Sequence, residues 1–321
     1  MRVPGYVVVL VCAVAIGLFM FGVAKVGTDL RPDYHVVSGP DDTERYQVDL
    51  SDARVVWLEK VKEGVAVMQY DIASKARKVL EPSQAAPSFP VLLDSAWVAW
   101  VEGRGPYHVA AMNLPSGAKE VIGDTPDNVT LPGRTLDGDM LLVAGTMHEV
   151  AGWWLVHLGT QEPARLLGPL PARGPVAMSG GLVWWGNGTA LVAVDTERGG
   201  PVHVLDAGGR VLEVDARGDL VVWTADLGPI RGVRYANLTT GLQGNVTGVA
   251  GDQHSPAVDG TRVAFVQWDG LVRLADLANG GERVLPARDQ ENLHPRLTAS
   301  WVAWLSGTLE GHNVLLVPAG G

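Results

Sequence analysis

One short pattern recurs seven times along this chain, and it restricts the fold more than any other feature. Apolar runs, most of them ending in an aromatic residue, lie at Val55-Val56-Trp57, Trp97-Val98-Ala99-Trp100, Leu141-Leu142-Val143, Leu182-Val183-Trp184-Trp185, Leu220-Val221-Val222-Trp223, Val263-Ala264-Phe265 and Trp301-Val302-Ala303-Trp304. Their last residues are 43, 43, 42, 38, 42 and 39 positions apart. A period of about 40–50 residues made of short apolar runs is that of a four-stranded propeller blade.

Each copy carries similar punctuation. Small polar residues and glycine precede the run, as at Asp94-Ser95, Asp137-Gly138, Ser179-Gly180, Asp215-Ala216, Asp259-Gly260 and Thr298-Ala299, and they suit a tight hairpin. A further strand then ends in a short polar residue at Asp71, Asn113, Asp195, Asn237 and Asp276, with His157 in the third copy. An Asx side chain there accepts a backbone hydrogen bond and starts the next turn. A last strand closes the unit, as at Lys78-Val79-Leu80, Glu120-Val121-Ile122, Arg165-Leu166-Leu167, Val202-His203-Val204 and Arg283-Val284-Leu285. The seventh copy ends after three strands, with Asn313-Val314-Leu315-Leu316-Val317 as the third. An open edge invites aggregation, so Tyr34-His35-Val36-Val37 is the expected donor of the missing strand.

The expected fold is all-β, a seven-bladed propeller of four-stranded antiparallel blades, preceded by one N-terminal transmembrane helix. The segment from Gly251-Asp252-Gln253-His254 to Val263-Ala264-Phe265 resembles the repeat of TolB-like β-propellers and their relatives on prokaryotic cell surfaces. Asp289-Gln290 through Pro295, followed by Trp301-Val302-Ala303-Trp304, resembles it again, and the third and fourth copies match most weakly. The best-known members have six blades, so six is the alternative count. The resemblance covers about 270 residues. It implies a blade type rather than an activity, because such propellers serve as scaffolds, binders and accessory domains of enzymes. Val194-Asp195 to Gly199 looks like a PQQ-type repeat, but here tryptophan sits in the second strand rather than just after the glycine.

Residues 6–24 form an uninterrupted apolar run. Nineteen residues rise about 28 Å, close to the roughly 30 Å of a bilayer core. Gly22-Val23-Ala24 would suit a signal-peptidase cut, but the run is longer than a signal core of about 7–15 residues. An uncleaved signal-anchor over residues 1–27 is the favoured reading and a cleaved signal the alternative. Residues 28–45 then form a linker with the ring-closing strand, and 46–321 the propeller. Everything beyond about residue 27 is expected outside the cytoplasm at the cell membrane. The chain's single cysteine is Cys12, so that portion holds no disulfide. Sequons at Asn128, Asn187, Asn237 and Asn245 fit an outside location. With 8 Asn and 27 Ser plus Thr, chance gives about 0.7 sequons, although Asn237 also fills the repeat's Asx slot. A net charge of -10 without any basic run excludes a nucleic-acid partner.

Asp252, His254, Asp289, Glu291 and His294 precede the innermost strands of the sixth and seventh copies, where a propeller opens its central channel. Two histidines and carboxylates on adjacent blades suggest a ligand site or a divalent metal. Blades 1–5 supply no matching ligand, and the same residues also serve as repeat punctuation. No cofactor motif occurs. Ser179 stands in the hairpin slot of Asp137 and Asp259, outside any nucleophile elbow. In Trp153-Trp154 and Trp184-Trp185, strand alternation places one ring in the core and leaves the other as an interface candidate. The expected function is a non-catalytic scaffold that binds another envelope or membrane protein. The alternatives are a metal-dependent propeller hydrolase or lyase, and a structural surface-layer component.

Overall fold

The structure, a computed structural model, describes residues 34–38, 43–82, 88–103, 106–123, 128–160, 162–168, 174–249, 251–286, 291–308 and 311–320. The apolar N-terminal segment, residues 1–27, and Asp289 lie outside these residues. Among the described residues every regular element is a strand, and no helix is long and apolar enough to cross a membrane. Seven antiparallel sheets form seven blades over residues 45–81, 88–122, 128–168, 176–206, 210–245, 253–284 and 291–318. In blades 1 to 6 the strands run outward from the channel in chain order. In blade 1, for example, Arg45–Leu50, Arg54–Val61, Gly64–Asp71 and Arg77–Glu81 set Val48 opposite Trp57, and Trp57 opposite Met68. Hairpin turns between first and second strands therefore share one face, the turn face. The opposite face, the loop face, carries the second-to-third hairpins and the crossings between blades.

The apolar runs are continuous because both faces of a blade are covered by its neighbours. Trp57, Trp100, Trp184, Trp223, Phe265 and Trp304 are fully buried at the blade interfaces. Trp57, Trp100 and Trp304 donate their indole N–H to Glu59, Glu102 and Asn292 at 3.0, 2.7 and 2.9 Å. For Trp153-Trp154 this packing overturns the expectation that one ring is left as an interface candidate. Trp153 and Trp154 are both buried, and half-buried Trp185 packs edge-on against Trp153 at 5.5 Å. Alternation leaves a ring in solvent only where a strand has a solvent face, and the second and third strands of blade 3 have almost none.

Side chains at the ends of the innermost strands bind blades 1 to 5 each to the next. Asp49, Asp94, Asp137 and Asp215 accept hydrogen bonds from the backbone N–H of Leu93, Gly138, Gly180 and Val258 at 2.7–2.9 Å. Ser179 accepts the same type of bond from Gly218 at 3.1 Å, so its hydroxyl is a structural latch. At the outer hairpins Asp71, Asn113, Asp195 and Asn237 accept the N–H three residues on, from Ser74, Ser116, Arg198 and Thr240. His157 has no such carboxylate or amide, and in its place Thr160 Oγ1 donates to the His157 carbonyl.

Blade 3 departs from the pattern. Its innermost strand is split into Asn128–Thr130 and Leu136–Asp137, both paired with Met140–Met147. Across the break, Arg134 N–H donates to Val176 O and Arg134 O accepts from Met178 N–H, which stitches blade 3 to blade 4. Gly133 is needed there, since a Cβ would lie 2.1 Å from Val176 O. The outermost place of blade 7 is taken by His35–Val36, antiparallel to Gly311–Pro318. Buried Arg45 secures that closure, donating to Glu59, to Ser38 O and to His312 O at 2.9, 3.0 and 2.9 Å.

Candidate functional site in the central channel

The innermost strands carry charges that pure packing would exclude, and these meet across the channel. Arg134 pairs with Asp215 at 2.8 Å and lies 3.8 Å from Asp49, while Arg296 Nε lies 3.4 Å from the same Asp49. Burial pulls both guanidinium groups down. For Arg134 the carboxylates of Asp215, Asp49 and Asp94 overcome it and hold the pKa above its ordinary value. For Arg296 burial, aided by repulsion from Arg134, wins over the attraction of Asp49, Asp215 and Glu213 and holds the pKa below its ordinary value. Nearer the turn face, Arg217 approaches Asp94 at 3.5 Å and Asp259 at 3.6 Å.

This ionic layer separates two spaces. On the turn side a cavity of about 280 Å³ is lined by Asp52, Asp94, Asp259 and Arg217. On the loop side a chamber of about 210 Å³ is lined by Gln47, Glu213, Ser255 and His294, with Arg134 and Arg296 as its floor. Gln47, Ser255 and His294 have positive φ values of 46°, 54° and 51° at strand bulges. A non-glycine residue there costs on the order of 1–2 kcal/mol. Ser255 and His294 each precede proline, which makes the conformation still less ordinary.

Of the residues singled out in the sequence, the structure gathers only some. His294 lines the chamber, and burial lowers its pKa to about 4, with Arg296 adding to the effect. His254 Nδ1 lies 3.1 Å from Ser255 Oγ, and burial also holds its pKa below normal, opposed by Glu213. Asp252 belongs to the rim between blades 5 and 6, where hydrogen bonds from the Arg231 side chain and backbone hold its carboxyl below the usual range. Glu291 lies 3.7 Å from His312 Nε2. Among the described residues no group of three or more His, Cys, Asp or Glu could hold a metal ion.

Glu213, absent from that sequence set, is the chamber's main acceptor. It takes hydrogen bonds from Ser255 N–H, Thr224 Oγ1 and Ser255 Oγ at 2.6, 2.7 and 3.2 Å. Serine thus stands between histidine and carboxylate, whereas a nucleophilic relay places histidine between serine and acid. The arrangement is an acceptor-rich lining suited to holding a small polar molecule. Of the sequon asparagines, Asn128, Asn187 and Asn245 are exposed and Asn237 is half-buried in its turn.

The loop face also carries an apolar group beside the channel mouth. Gln253 donates to Val249 O and accepts from Val233 N–H, which ties Val249 to the seam between blades 5 and 6. Leu227, Ile230, Val249 and Trp268 are exposed along this strip, Trp268 at 66 %. The Trp268 indole crosses Gly251, where a Cβ would come within 2.3 Å of it.

No protein-family model matches the chain, and no curated protein sequence does either. Solved structures match it as a fold. The β-propeller domain of the Trilobed protease from Pyrococcus furiosus is 10% identical, with a TM-score of 0.66 over 87% of this chain and 94% of that one. The Neurospora crassa Pan2 WD40 domain is 15% identical, with a TM-score of 0.59 over 90% and 96%. A puromycin-hydrolyzing peptidase of Mycobacterium tuberculosis is 13% identical, with a TM-score of 0.62 over 88% of this chain and 54% of its own. This chain therefore spans about half of that peptidase. These likenesses show a β-propeller fold, and the seven sheets set its blade count.

Proposed function

We propose that the chain is a membrane-tethered, extracytoplasmic propeller of the TolB-like kind that docks another envelope or membrane protein and catalyses nothing. The observation that carries this reading is the exposed Leu227, Ile230, Val249 and Trp268 group on the loop face. Exposed tryptophan flanked by aliphatic residues and a rim arginine, here Arg231, has the composition of a binding hot spot. The apolar run over residues 6–24 supports the tether, and the sequons at Asn128, Asn187, Asn237 and Asn245 support the outside location. The split channel and the serine-centred contacts of Glu213 favour a scaffold over the hydrolase alternative. The strain at Gln47, Ser255 and His294 favours, as a second role, a small polar ligand in the chamber.

The test is cross-linking of native membranes, affinity capture and mass spectrometry on wild type and Trp268→Asp. One dominant stoichiometric partner is expected, reduced at least tenfold in the variant at unchanged melting temperature. Recovery of the chain alone, or equal capture by Trp268→Asp, refutes docking at this face.

A further inference from the structure

Propeller blades expose one strand edge each, and the outermost strand must be protected from pairing with other chains. Several outer strands here carry charges along that edge. Arg77, Lys78 and Glu81 guard blade 1, Lys119 and Glu120 blade 2, and Glu282 and Arg283 blade 6, while blade 3 limits its outer strand to the four residues Arg165–Gly168. Blade 5 limits its edge to Gln243–Asn245, and blade 7 to His35–Val36. Blade 4 does neither. Its outer strand Pro201–Asp206 is six residues long, and its only charge is the terminal Asp206.

The ladder shows which backbone groups of this strand are free. Ala207 N–H donates inward to Thr189 O, so by alternation Leu205 also faces the third strand. Val204 lies opposite Val192 in the intervening non-hydrogen-bonded position, with its N–H and C=O directed outward. Val204 is 66 % exposed and Val202 43 %, with His203 between them stacked on Trp184 at 6.0 Å. The edge therefore offers β-branched side chains and backbone donors over Pro201 to Leu205, with no charge before the terminal Asp206.

We propose that the outer edge of blade 4 accepts an extended, uncharged segment of a partner protein as a fifth strand. A foreign segment fits better than a second copy. Two chains of net charge -10 repel one another, and one six-residue strand pair buries far less than the roughly 1,200 Å² of a stable interface. A short uncharged segment brings no like-charged folded body to the edge, and main-chain bonds give it affinity while alternate side chains give it specificity. This site is separate from the Trp268 face, and neither depends on the other.

The probe is a fluorescent, end-capped hexapeptide of alternating threonine and valine, titrated by anisotropy against the full chain. Saturable binding is expected, weakened at least tenfold by Val204→Pro, which deletes the outward N–H and leaves the inward ladder intact. Val204→Lys, which supplies the missing guard, gives the same loss and carries the test if the proline variant does not fold. Val121→Lys on blade 2 leaves binding unchanged. Absence of saturable binding, or binding by both Val204 variants as tight as that of the wild type, overturns the proposal. Concentration-dependent dimers abolished by Val204→Lys would assign the edge to a second copy and likewise overturn it.

Discussion

Replacing Arg45 by methionine keeps the length of the side chain and removes its charge and all its donors. The guanidinium is only 1 % exposed and joins three regions of the ring: Glu59 of blade 1, Ser38 after the closing strand, and His312 of blade 7. Breaking a buried ion pair costs about 3–5 kcal/mol because the other charge stays behind. Glu59 is not wholly abandoned, since Trp57 Nε1 and Arg77 still donate to it, which places this contribution near the lower end. Ser38 O keeps Arg77 at 2.7 Å, but His312 O loses its Arg45 donor, at about 1 kcal/mol. The expected loss is about 4 kcal/mol. Equilibrium unfolding in urea, followed by tryptophan fluorescence, measures it. Adding Glu59→Gln to Arg45→Met removes the stranded charge and should recover some of the loss. A loss below about 1 kcal/mol, or a double variant weaker than the single one, would refute Arg45 as the seam's fastening.

Two further effects follow from the same structure. His294 is held at a pKa of about 4 in the folded ring against 6.5 in the unfolded chain. The unfolded state therefore binds the extra proton between those values, and stability falls as pH drops through that window, by up to about 3 kcal/mol. Urea midpoints at pH 7 and pH 4.5 measure this, and His294→Gln should be the flatter of the two proteins. The second effect compares two tryptophans. Trp154 Nε1 is buried without a hydrogen-bond partner, whereas Trp304 donates to Asn292, so Trp154→Phe should cost at least about 1 kcal/mol less than Trp304→Phe. Equal losses in thermal unfolding would contradict that account.

The ring's periodicity was legible because both faces of every blade are buried, so apolar runs such as Trp97–Trp100 and Trp301–Trp304 stand out against polar turns. The count of seven rested on those runs. The same burial misled the alternation argument for Trp153 and Trp154. Asp137 and Ser179 could be assigned to hairpins from local spacing, but nothing local shows that their side chains reach Gly180 and Gly218 of the following blades. The channel was harder still. A carboxylate inside an apolar innermost strand, as in Val48-Asp49-Leu50 or Val214-Asp215-Ala216, was a usable signal. Its partner was not, because Arg134 and Asp215 are 81 residues apart and meet only when the ring closes. His294 was expected before an innermost strand but lies within Glu291–Leu297, at its bulge, while Asp252, just before Gln253–Asp259, turned to Arg231 instead.

The strand that completes the ring is also the first described strand of the chain. A pull on the chain at Tyr34 is thus delivered directly to the His35–Val36 ladder and to the bonds joining Val37 and Ser38 to Val314. Drawn along the strand, those bonds share the load; peeled sideways, they break in succession. The other six blades keep their own sheets when this seam opens, so the ring behaves mechanically as a chain of plates with a single fuse, placed where the line enters.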